Sequence, residues 1–260
     1  MIHYLVLGLI QGLTEFLPVS SSGHLVIGEQ LLKFDPPGVL LEAILHLGTL
    51  IAVLILFRHD LLRLIRGLFS KGRELGEVRC LIAGTIPIAI IGLVLQDKIE
   101  SAFSSLVVVA ICLLVTGGLL LIADWAGRQA KRKEVRLRDA LLIGISQAAA
   151  LLPGISRSGV TITTGMIVGI EGKEAARFSF LLSIPAILGA AGLKFYQALT
   201  TTSVAVTEWP GLLVGALTAL GVGVVAIKGL LALISRGKLK IFGVYCLIIG
   251  LSTIVYTCAW

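Results

Sequence analysis

The sequence has little charge. Asp, Glu, Lys and Arg together make up 14% of its 260 residues, against about 25% in an ordinary soluble domain. Hydrophobic residues make up 57%, and there are 30 glycines. The four cysteines lie in apolar segments without a CxxC or metal-ligand spacing, so they predict small hydrophobic side chains rather than metal ligands. This composition excludes a disordered chain, a coiled coil and a typical soluble enzyme.

Long apolar runs recur along the chain. Runs of about 17–25 residues match the length needed to cross a hydrocarbon core about 30 Å thick. They predict an all-α polytopic membrane protein that forms a single transmembrane domain over residues 1–260. The six predicted spanning helices are 38–57, 80–96, 105–124, 179–199, 211–235 and 239–258.

Four further apolar pieces are too short to cross, and they come in two pairs. The first pair is 2–16 and 22–34, and the second is 140–152 and 158–170. Pieces of about 13–15 residues reach only some 20 Å. Because proline, glycine and serine lie between the members of each pair, we expect two re-entrant helical hairpins that turn near the midplane.

The net charge of +7 does not require a nucleic-acid partner, because its position indicates topology. Loops 58–79 and 125–139 carry six Lys or Arg each and 236–240 carries three, whereas 97–104 carries one and 200–210 none. Basic loops lie on the cytoplasmic side. We therefore predict a multi-pass protein of the plasma membrane with both termini outside.

The two halves of the sequence are related by a shift of 136 positions. The shift aligns Gln11 with Gln147 and Ser20-x-Ser22-Gly23 with the same pattern at 156–159. The order of short and long apolar pieces also repeats. An odd number of spans separates the halves, so they predict an inverted-topology repeat of about 1–137 and 138–260, with a site where the hairpin tips meet near the midplane.

The polar residues gather in the two hairpins. The first hairpin contains Glu15 in an otherwise apolar segment, where burying an ionised group costs about 3 kcal/mol. The second contains Arg157 at its tip, and a guanidinium is a good bidentate phosphate ligand. The remaining candidates are the Gln11 amide, the His24 imidazole and the hydroxyls of Ser20, Ser21, Ser22, Ser156, Ser158 and Thr161. Together with two helix N-termini, they predict phosphoryl chemistry on a membrane substrate.

Simpler interpretations exist for each residue. The serines can cap helices, Glu15 and Arg157 can form a structural ion pair, and His24 can be a packing residue. Glu42 and His46, four residues apart on the third predicted helix, are candidates for a supporting role around the site.

These motifs resemble the integral-membrane undecaprenyl-pyrophosphate phosphatase family of the bacitracin-resistance type. The resemblance is carried by Gln11 to Glu15, by the Pro-Val-Ser-Ser-Ser-Gly-His run 18–24 and by Pro-Gly-Ile-Ser-Arg-Ser-Gly-Val-Thr at 153–161. It implies release of the terminal phosphate from a polyprenyl diphosphate lipid, at a site open to the outer face. It also implies that Glu15, His24 and Arg157 are essential.

The resemblance further implies a role for each remaining polar residue. Ser21 matches a proposed nucleophile, and a water molecule or a phosphohistidine at His24 are the other attackers that the residues allow. Ser156 and Thr161 match phosphate contacts of the family. From their positions in the hairpins, Gln11, Ser20, Ser22 and Ser158 are expected to bind the substrate with them. A divalent cation, Mg²⁺ or Ca²⁺, is expected near Glu15, although glutamine at position 11 leaves one carboxylate fewer to bind it.

Two other expectations follow from the architecture. Inverted repeats with broken helices are typical of transporters, so the alternative function is a flippase of polyprenyl phosphate. Glycine-rich segments such as 211–223 allow close helix contact and predict a homodimer.

Overall fold

In the computed structural model, residues 1–34, 40–68, 72–127, 129–201 and 208–259 are described. They form α-helices with one short 3₁₀ turn at Ala149–Leu151, and no β-strand occurs within these ranges. The helices are α1 Ile2–Thr14, α2 Ser21–Leu32, α3 Leu40–Leu56, α4 Arg58–Gly67, α5 Arg73–Val94, α6 Gln96–Phe103, α7 Leu106–Ala126, α8 Leu137–Ala148, α9 Arg157–Ile167, α10 Gly172–Thr201, α11 Trp209–Ile234 and α12 Lys240–Ala259.

Five of these helices are long and apolar enough to cross a membrane, namely α5, α7, α10, α11 and α12. A sixth candidate consists of α3 and α4, which are bent by 75° at their junction. The prediction of an all-α polytopic membrane protein is therefore confirmed for the described residues. Residues 38 and 39 of the first predicted span lie outside the described residues.

The charged connections contain more helix than hydropathy predicts. Most of the predicted loop 58–79 belongs to α4 and to the first turns of α5, and most of 97–104 belongs to α6. Leu, Arg and Glu are good helix formers, whereas hydropathy detects only the part of a helix that lipid can solvate. Residues 80–94 of the second predicted span, 80–96, are consequently the apolar part of a helix that begins at Arg73 and ends at Val94.

The first pair of short helices folds back on itself. Helices α1 and α2 have 13 and 12 residues, so each is about 20 Å long. The imidazole of His3, at the start of α1, lies 4.8 Å from the ring of Phe34, which follows α2. The chain thus returns to the end of the molecule at which α1 begins.

The second pair has the same arrangement. Helices α8 and α9 have 12 and 11 residues. Arg132, which precedes α8, donates a hydrogen bond to the carbonyl oxygen of Val168 after α9 at 2.8 Å. Arg132 also forms an ion pair with Asp139 in the first turn of α8. The end of α9 is therefore held beside the start of α8.

Helix α1 packs closely against α11. A Cβ atom at Gly8 would lie 2.5 Å from the carbonyl oxygen of Gly215, and Gly211 lies against the ring of Tyr4. Only glycine allows this approach. Since the contacts advance together along both helices, α1 and α11 run in the same direction.

Helix α8 packs against α5 in a matching way. A Cβ atom at Gly144 would lie 2.4 Å from the carbonyl oxygen of Gly84, and Gly92 lies against Leu151, so these helices are also parallel. Gly144 is the counterpart of Gly8 under the 136-residue shift. Equivalent positions of the two halves thus make equivalent glycine contacts.

Helices α7 and α12 cross at the junction of the two halves. Gly117 packs against Gly243, and Ala110 packs against Gly250. Contacts that advance along one helix and recede along the other show that α7 and α12 are antiparallel.

The glycine-rich segment 211–223, which predicts close helix contact, makes that contact within the chain. Gly215 lies against Leu45 of α3, and Gly223 lies against Ala52 of the same helix. The homodimer stays a prediction, and these two glycines provide no support for it.

Candidate functional site

The turns between the short helices contact each other. The backbone N–H of Gly154 donates a hydrogen bond to Ser20 Oγ at 3.1 Å, and Ser158 Oγ donates to the carbonyl oxygen of Leu17 at 3.1 Å. All four residues are at least partly buried. The contact places the starts of α2 and α9 beside each other.

Each of these helices begins with a serine cap. Ser20 Oγ accepts a hydrogen bond from the Gly23 N–H at 3.4 Å, and Ser156 Oγ accepts one from the Gly159 N–H at 3.0 Å. Ser20 has a φ of 70°, which is a strained conformation for a residue other than glycine. Such strain is maintained only where the surroundings hold the residue in place. Here the hydrogen bond from the Gly154 N–H to Ser20 Oγ contributes to this.

Glu15 is the centre of the polar cluster. Its Oε2 atom accepts hydrogen bonds from Gln11 Nε2 at 3.0 Å and from the Ser21 hydroxyl at 2.6 Å. Its Oε1 atom accepts one from Arg157 Nη2 at 2.6 Å. The side chain is only 5% exposed, so the guanidinium compensates the charge of a buried carboxylate.

Two buried atoms at this cluster lack a hydrogen-bond partner within the described chain. They are Arg157 Nη1, a donor, and Gln11 Oε1, an acceptor. Buried polar atoms are nearly always paired, and an unpaired one costs about 1–3 kcal/mol. A phosphate that carries one proton would satisfy both atoms beside Glu15. One of its oxygens would accept a hydrogen bond from Arg157 Nη1, and its hydroxyl would donate one to Gln11 Oε1.

His24 makes different contacts. Its Nδ1 atom lies 2.8 Å from the carbonyl oxygen of Ser20, and its Nε2 atom lies 2.9 Å from the Tyr245 hydroxyl. A carbonyl oxygen only accepts, so Nδ1 carries a proton; in the neutral imidazole Nε2 then accepts from the Tyr245 hydroxyl. The two rings also stack, with an interplanar angle of 9°. Tyr245 gave no sequence signal, because a tyrosine in an apolar helix is indistinguishable from a packing residue.

Four other predicted substrate-binding residues make contacts with the protein itself. Ser22 Oγ lies 3.3 Å from Ser20 Oγ, and Ser158 Oγ lies 3.2 Å from Ser156 Oγ. Thr161 Oγ1 lies 2.7 Å from Ser179 Oγ. These hydroxyls contact other hydroxyls, whereas Gln11, Ser21 and Arg157 each donate a hydrogen bond to Glu15.

Glu42 and His46 of α3, the two predicted supporting residues, contact different side chains. Glu42 forms an ion pair with Lys194 of α10. His46 Nε2 instead lies 3.5 Å from Glu15 Oε2, and its Nδ1 lies 2.8 Å from the Glu42 carbonyl oxygen. His46 is therefore a neighbour of the central carboxylate, closer than the sequence indicated.

The site does not fit a divalent cation held by the protein alone. Within the described residues, no group of three or more His, Cys, Asp or Glu side chains is arranged to hold a metal ion. Both oxygens of Glu15 already accept hydrogen bonds from the protein, whereas Mg²⁺ and Ca²⁺ require several oxygen ligands. The predicted cation at Glu15 stays a prediction.

The fold and the site define a class: a multi-pass helical membrane protein with a buried carboxylate–serine–arginine cluster between two helix N-termini. The model of the bacitracin resistance protein BacA family matches residues 4–252. The chain belongs to this family.

Curated relatives match the chain over almost its whole length. The undecaprenyl-diphosphatase of Desulforudis audaxviator is 42% identical and covers 96% of this chain and 95% of the relative. The undecaprenyl-diphosphatases of Syntrophotalea carbinolica and Halothermothrix orenii are also 42% identical, each over 96% of this chain and 96% and 95% of the relative.

Proposed function

We propose that the protein is a membrane phosphatase that hydrolyses undecaprenyl diphosphate, or a similar polyprenyl diphosphate, to the lipid monophosphate and inorganic phosphate. The name of the relatives supplies the reaction. One observation carries it to this chain: a single buried carboxylate, Glu15, accepts the Ser21 hydroxyl on one oxygen and Arg157 on the other. A base, a nucleophile and a phosphate-binding cation are thus in contact.

In the proposed reaction, the terminal phosphate binds the free Nη1 of Arg157 and the N-termini of α2 and α9, whose N–H groups and dipoles favour an anion. Ser21 Oγ attacks the phosphorus while its proton passes to Glu15. The bond from phosphorus to the bridging oxygen breaks, and its electron pair leaves with the lipid monophosphate. Arg157 stabilises the charge that develops on the phosphoryl oxygens.

Hydrolysis of the phosphoserine completes the cycle. Glu15 first gives up the proton that it took from Ser21, and this proton finally leaves with the inorganic phosphate. A water molecule then gives a proton to Glu15 and attacks the phosphorus, and the bond to Ser21 Oγ breaks as that oxygen takes the proton from Glu15. His24 transfers no proton in this scheme. Its contacts with the Ser20 carbonyl oxygen and the Tyr245 hydroxyl support the arrangement of the site. A divalent cation that entered with the diphosphate would add charge stabilisation.

We also propose the topology that the charge pattern predicts: a plasma-membrane protein with six crossings, two re-entrant hairpins, both termini outside and the site open to the outer face. Several packing directions support it. It requires α1 parallel to α11, α5 parallel to α8 and α7 antiparallel to α12, as the glycine contacts have them. Equivalent contacts at Gly8 and Gly144 support the inverted repeat of 1–137 and 138–260.

Phosphate release from a polyprenyl diphosphate by the purified protein in detergent tests the function. We expect release by the wild type and a loss of about a hundredfold or more for Arg157→Ala. Arg236→Ala, at an exposed position between α11 and α12, is the matched control and should be unaffected. An inactive wild type, or an active Arg157→Ala variant, would contradict the proposal.

Ser21→Ala tests the attacking atom separately. We expect the loss of both turnover and a covalently bound phosphate. Near-normal turnover would instead indicate attack by water or by His24.

A second candidate function is a flippase of polyprenyl phosphate. The observation that favours it is the meeting of two short helical hairpins, the arrangement that transporters use for alternating access. Translocation of the monophosphate lipid in sealed vesicles, retained by the Ser21→Ala variant, would support this function over hydrolysis.

A further inference from the structure

The proposed reaction leaves His46 without a role, although its imidazole is next to the central carboxylate. His46 Nε2 lies 3.5 Å from Glu15 Oε2, the same oxygen that accepts the Ser21 hydroxyl. The imidazole is 19% exposed and the carboxylate 5%. His46 thus connects a buried base to a less buried position.

The hydrogen bonds of His46 determine which of its nitrogens carries a proton. Nδ1 lies 2.8 Å from the backbone carbonyl oxygen of Glu42, and a carbonyl oxygen can only accept. Nδ1 therefore carries the proton. In a neutral imidazole, Nε2 then presents a lone pair to Glu15 Oε2. The separation of 3.5 Å exceeds the 2.7–3.2 Å of an N–H···O hydrogen bond, so the two atoms are neighbours without a hydrogen bond between them.

The charged groups around His46 leave Glu15 as the acid with which it can exchange a proton. On its own helix, the Glu42 carboxylate is paired with Lys194 of α10. Arg157 of α9 binds the far oxygen of Glu15. Helix α1 has no Asp, Glu, Lys or Arg, and the single such residue within α11, Lys228, is exposed and lies more than a turn beyond Gly223, which packs beside Ala52.

We propose that His46 stores the proton that Glu15 takes from Ser21, so that Glu15 becomes a carboxylate again before water attacks. The inference rests on the proposed function. His46 touches neither the substrate nor the nucleophile, so it acts through Glu15 as a positioning and proton-holding residue.

The proton balance is closed in both steps. In the first, the Ser21 proton moves to Glu15 Oε2 and then to His46 Nε2, as the Oγ–P bond forms and the lipid monophosphate departs. In the second, Glu15 accepts a proton from water and delivers it to Ser21 Oγ as the Oγ–P bond breaks. The stored proton leaves His46 with the inorganic phosphate. Without His46, Glu15 stays protonated and the phosphoserine persists.

The test is the variant His46→Gln, which keeps an amide near Glu15 but cannot take up a proton. We expect kcat to fall by about a hundredfold with KM within about twofold. In the variant, phosphate bound covalently to Ser21 should accumulate and be recovered after an acid quench.

His59→Gln is the matched control. The same substitution on α4, at an exposed histidine, should change neither kcat nor the phosphoenzyme level. If His46→Gln does not fold, His46→Asn retains a donor for the Glu42 carbonyl oxygen and carries the same expectations. A His46→Gln variant that holds no more phosphoserine than an active wild type overturns the role of His46 and leaves the phosphatase intact. A wild type that releases no phosphate overturns the function itself.

Discussion

Replacing Glu15 by glutamine should abolish phosphate release and, at the same time, tighten the binding of inorganic phosphate. Glutamine has the same shape and still accepts a hydrogen bond on one atom, but it carries no charge and cannot act as a base. In the wild type, the carboxylate holds the Ser21 hydroxyl at 2.6 Å and Arg157 Nη2 at 2.6 Å. The substitution therefore removes the base, removes a negative charge next to the phosphate and releases a guanidinium donor.

The size of the binding effect follows from these distances. A phosphorus poised about 3.5 Å from Ser21 Oγ lies roughly 4 Å from Glu15. At that separation one pair of unit charges interacts by about 4 kcal/mol with an effective dielectric constant near 20. Loss of the ordered hydrogen bond to Arg157 offsets part of this gain. We expect a phosphate Kd at least tenfold lower, about 1.4 kcal/mol, and a kcat lower by about a hundredfold or more.

Calorimetric titration with inorganic phosphate measures the first effect, and thermal unfolding supports it. Without phosphate, the variant leaves Arg157 buried without its counter-charge, a change that costs about 3–5 kcal/mol, so its unfolding midpoint should be lower. Added phosphate should then raise the midpoint of the variant more than that of the wild type. Ser21→Ala keeps the carboxylate and is the control. Equal or weaker phosphate binding by Glu15→Gln would refute the electrostatic reasoning.

Three further predictions concern stability. Gly144→Ala should lower the unfolding midpoint by overpacking worth about 1–3 kcal/mol, whereas Gly118→Ala, which meets no atom within 4 Å, should not. Burial alone would raise the pKa of the Asp139 carboxyl, but hydrogen bonds from Arg132 and the backbone lower it. The contribution of Asp139 to the free energy of unfolding is thus present above the unfolded pKa of about 4. It is lost as the pH falls through the lower pKa of the folded state. The unfolding midpoint of Asp139→Asn should lack this acid-dependent loss. Finally, a chelator should leave the midpoint of the substrate-free protein unchanged, since no group of three or more His, Cys, Asp or Glu side chains among the described residues is arranged to hold a metal ion.

The division of the apolar sequence into long and short pieces was enough to predict much of the fold. A helix that is surrounded by lipid must have apolar side chains, so the hydropathy of the sequence reveals it. A piece of 13 residues is too short to cross the hydrocarbon core. The bend between α3 and α4 could not be predicted in this way. At Arg58 the chain leaves its apolar surroundings and hydropathy drops, whether the helix ends, bends or continues.

The candidate site was predictable where a residue was conspicuous in its surroundings. Glu15 and Arg157 are rare charges in apolar segments, and the cost of burying them indicates a partner or a function. The contacts of Thr161 with Ser179 and of His24 with Tyr245 depend on which helices pack together. That packing follows from small residues spread over the whole chain, so no local pattern contains it.

The two hairpins differ at equivalent positions, and this difference explains why the site joins both halves. Under the proposed repeat, Ser21 and Arg157 are equivalent positions, each the first residue of a helix capped by a serine. Two identical halves would bring like groups together: two arginines would repel each other, and two serines would leave the phosphate charge without a counter-charge. A reaction that needs a nucleophile with its base on one side and a cation on the other therefore requires equivalent positions to differ. The serine caps are alike in both halves, as the proposed reaction allows, because a helix N-terminus favours an anion on either side.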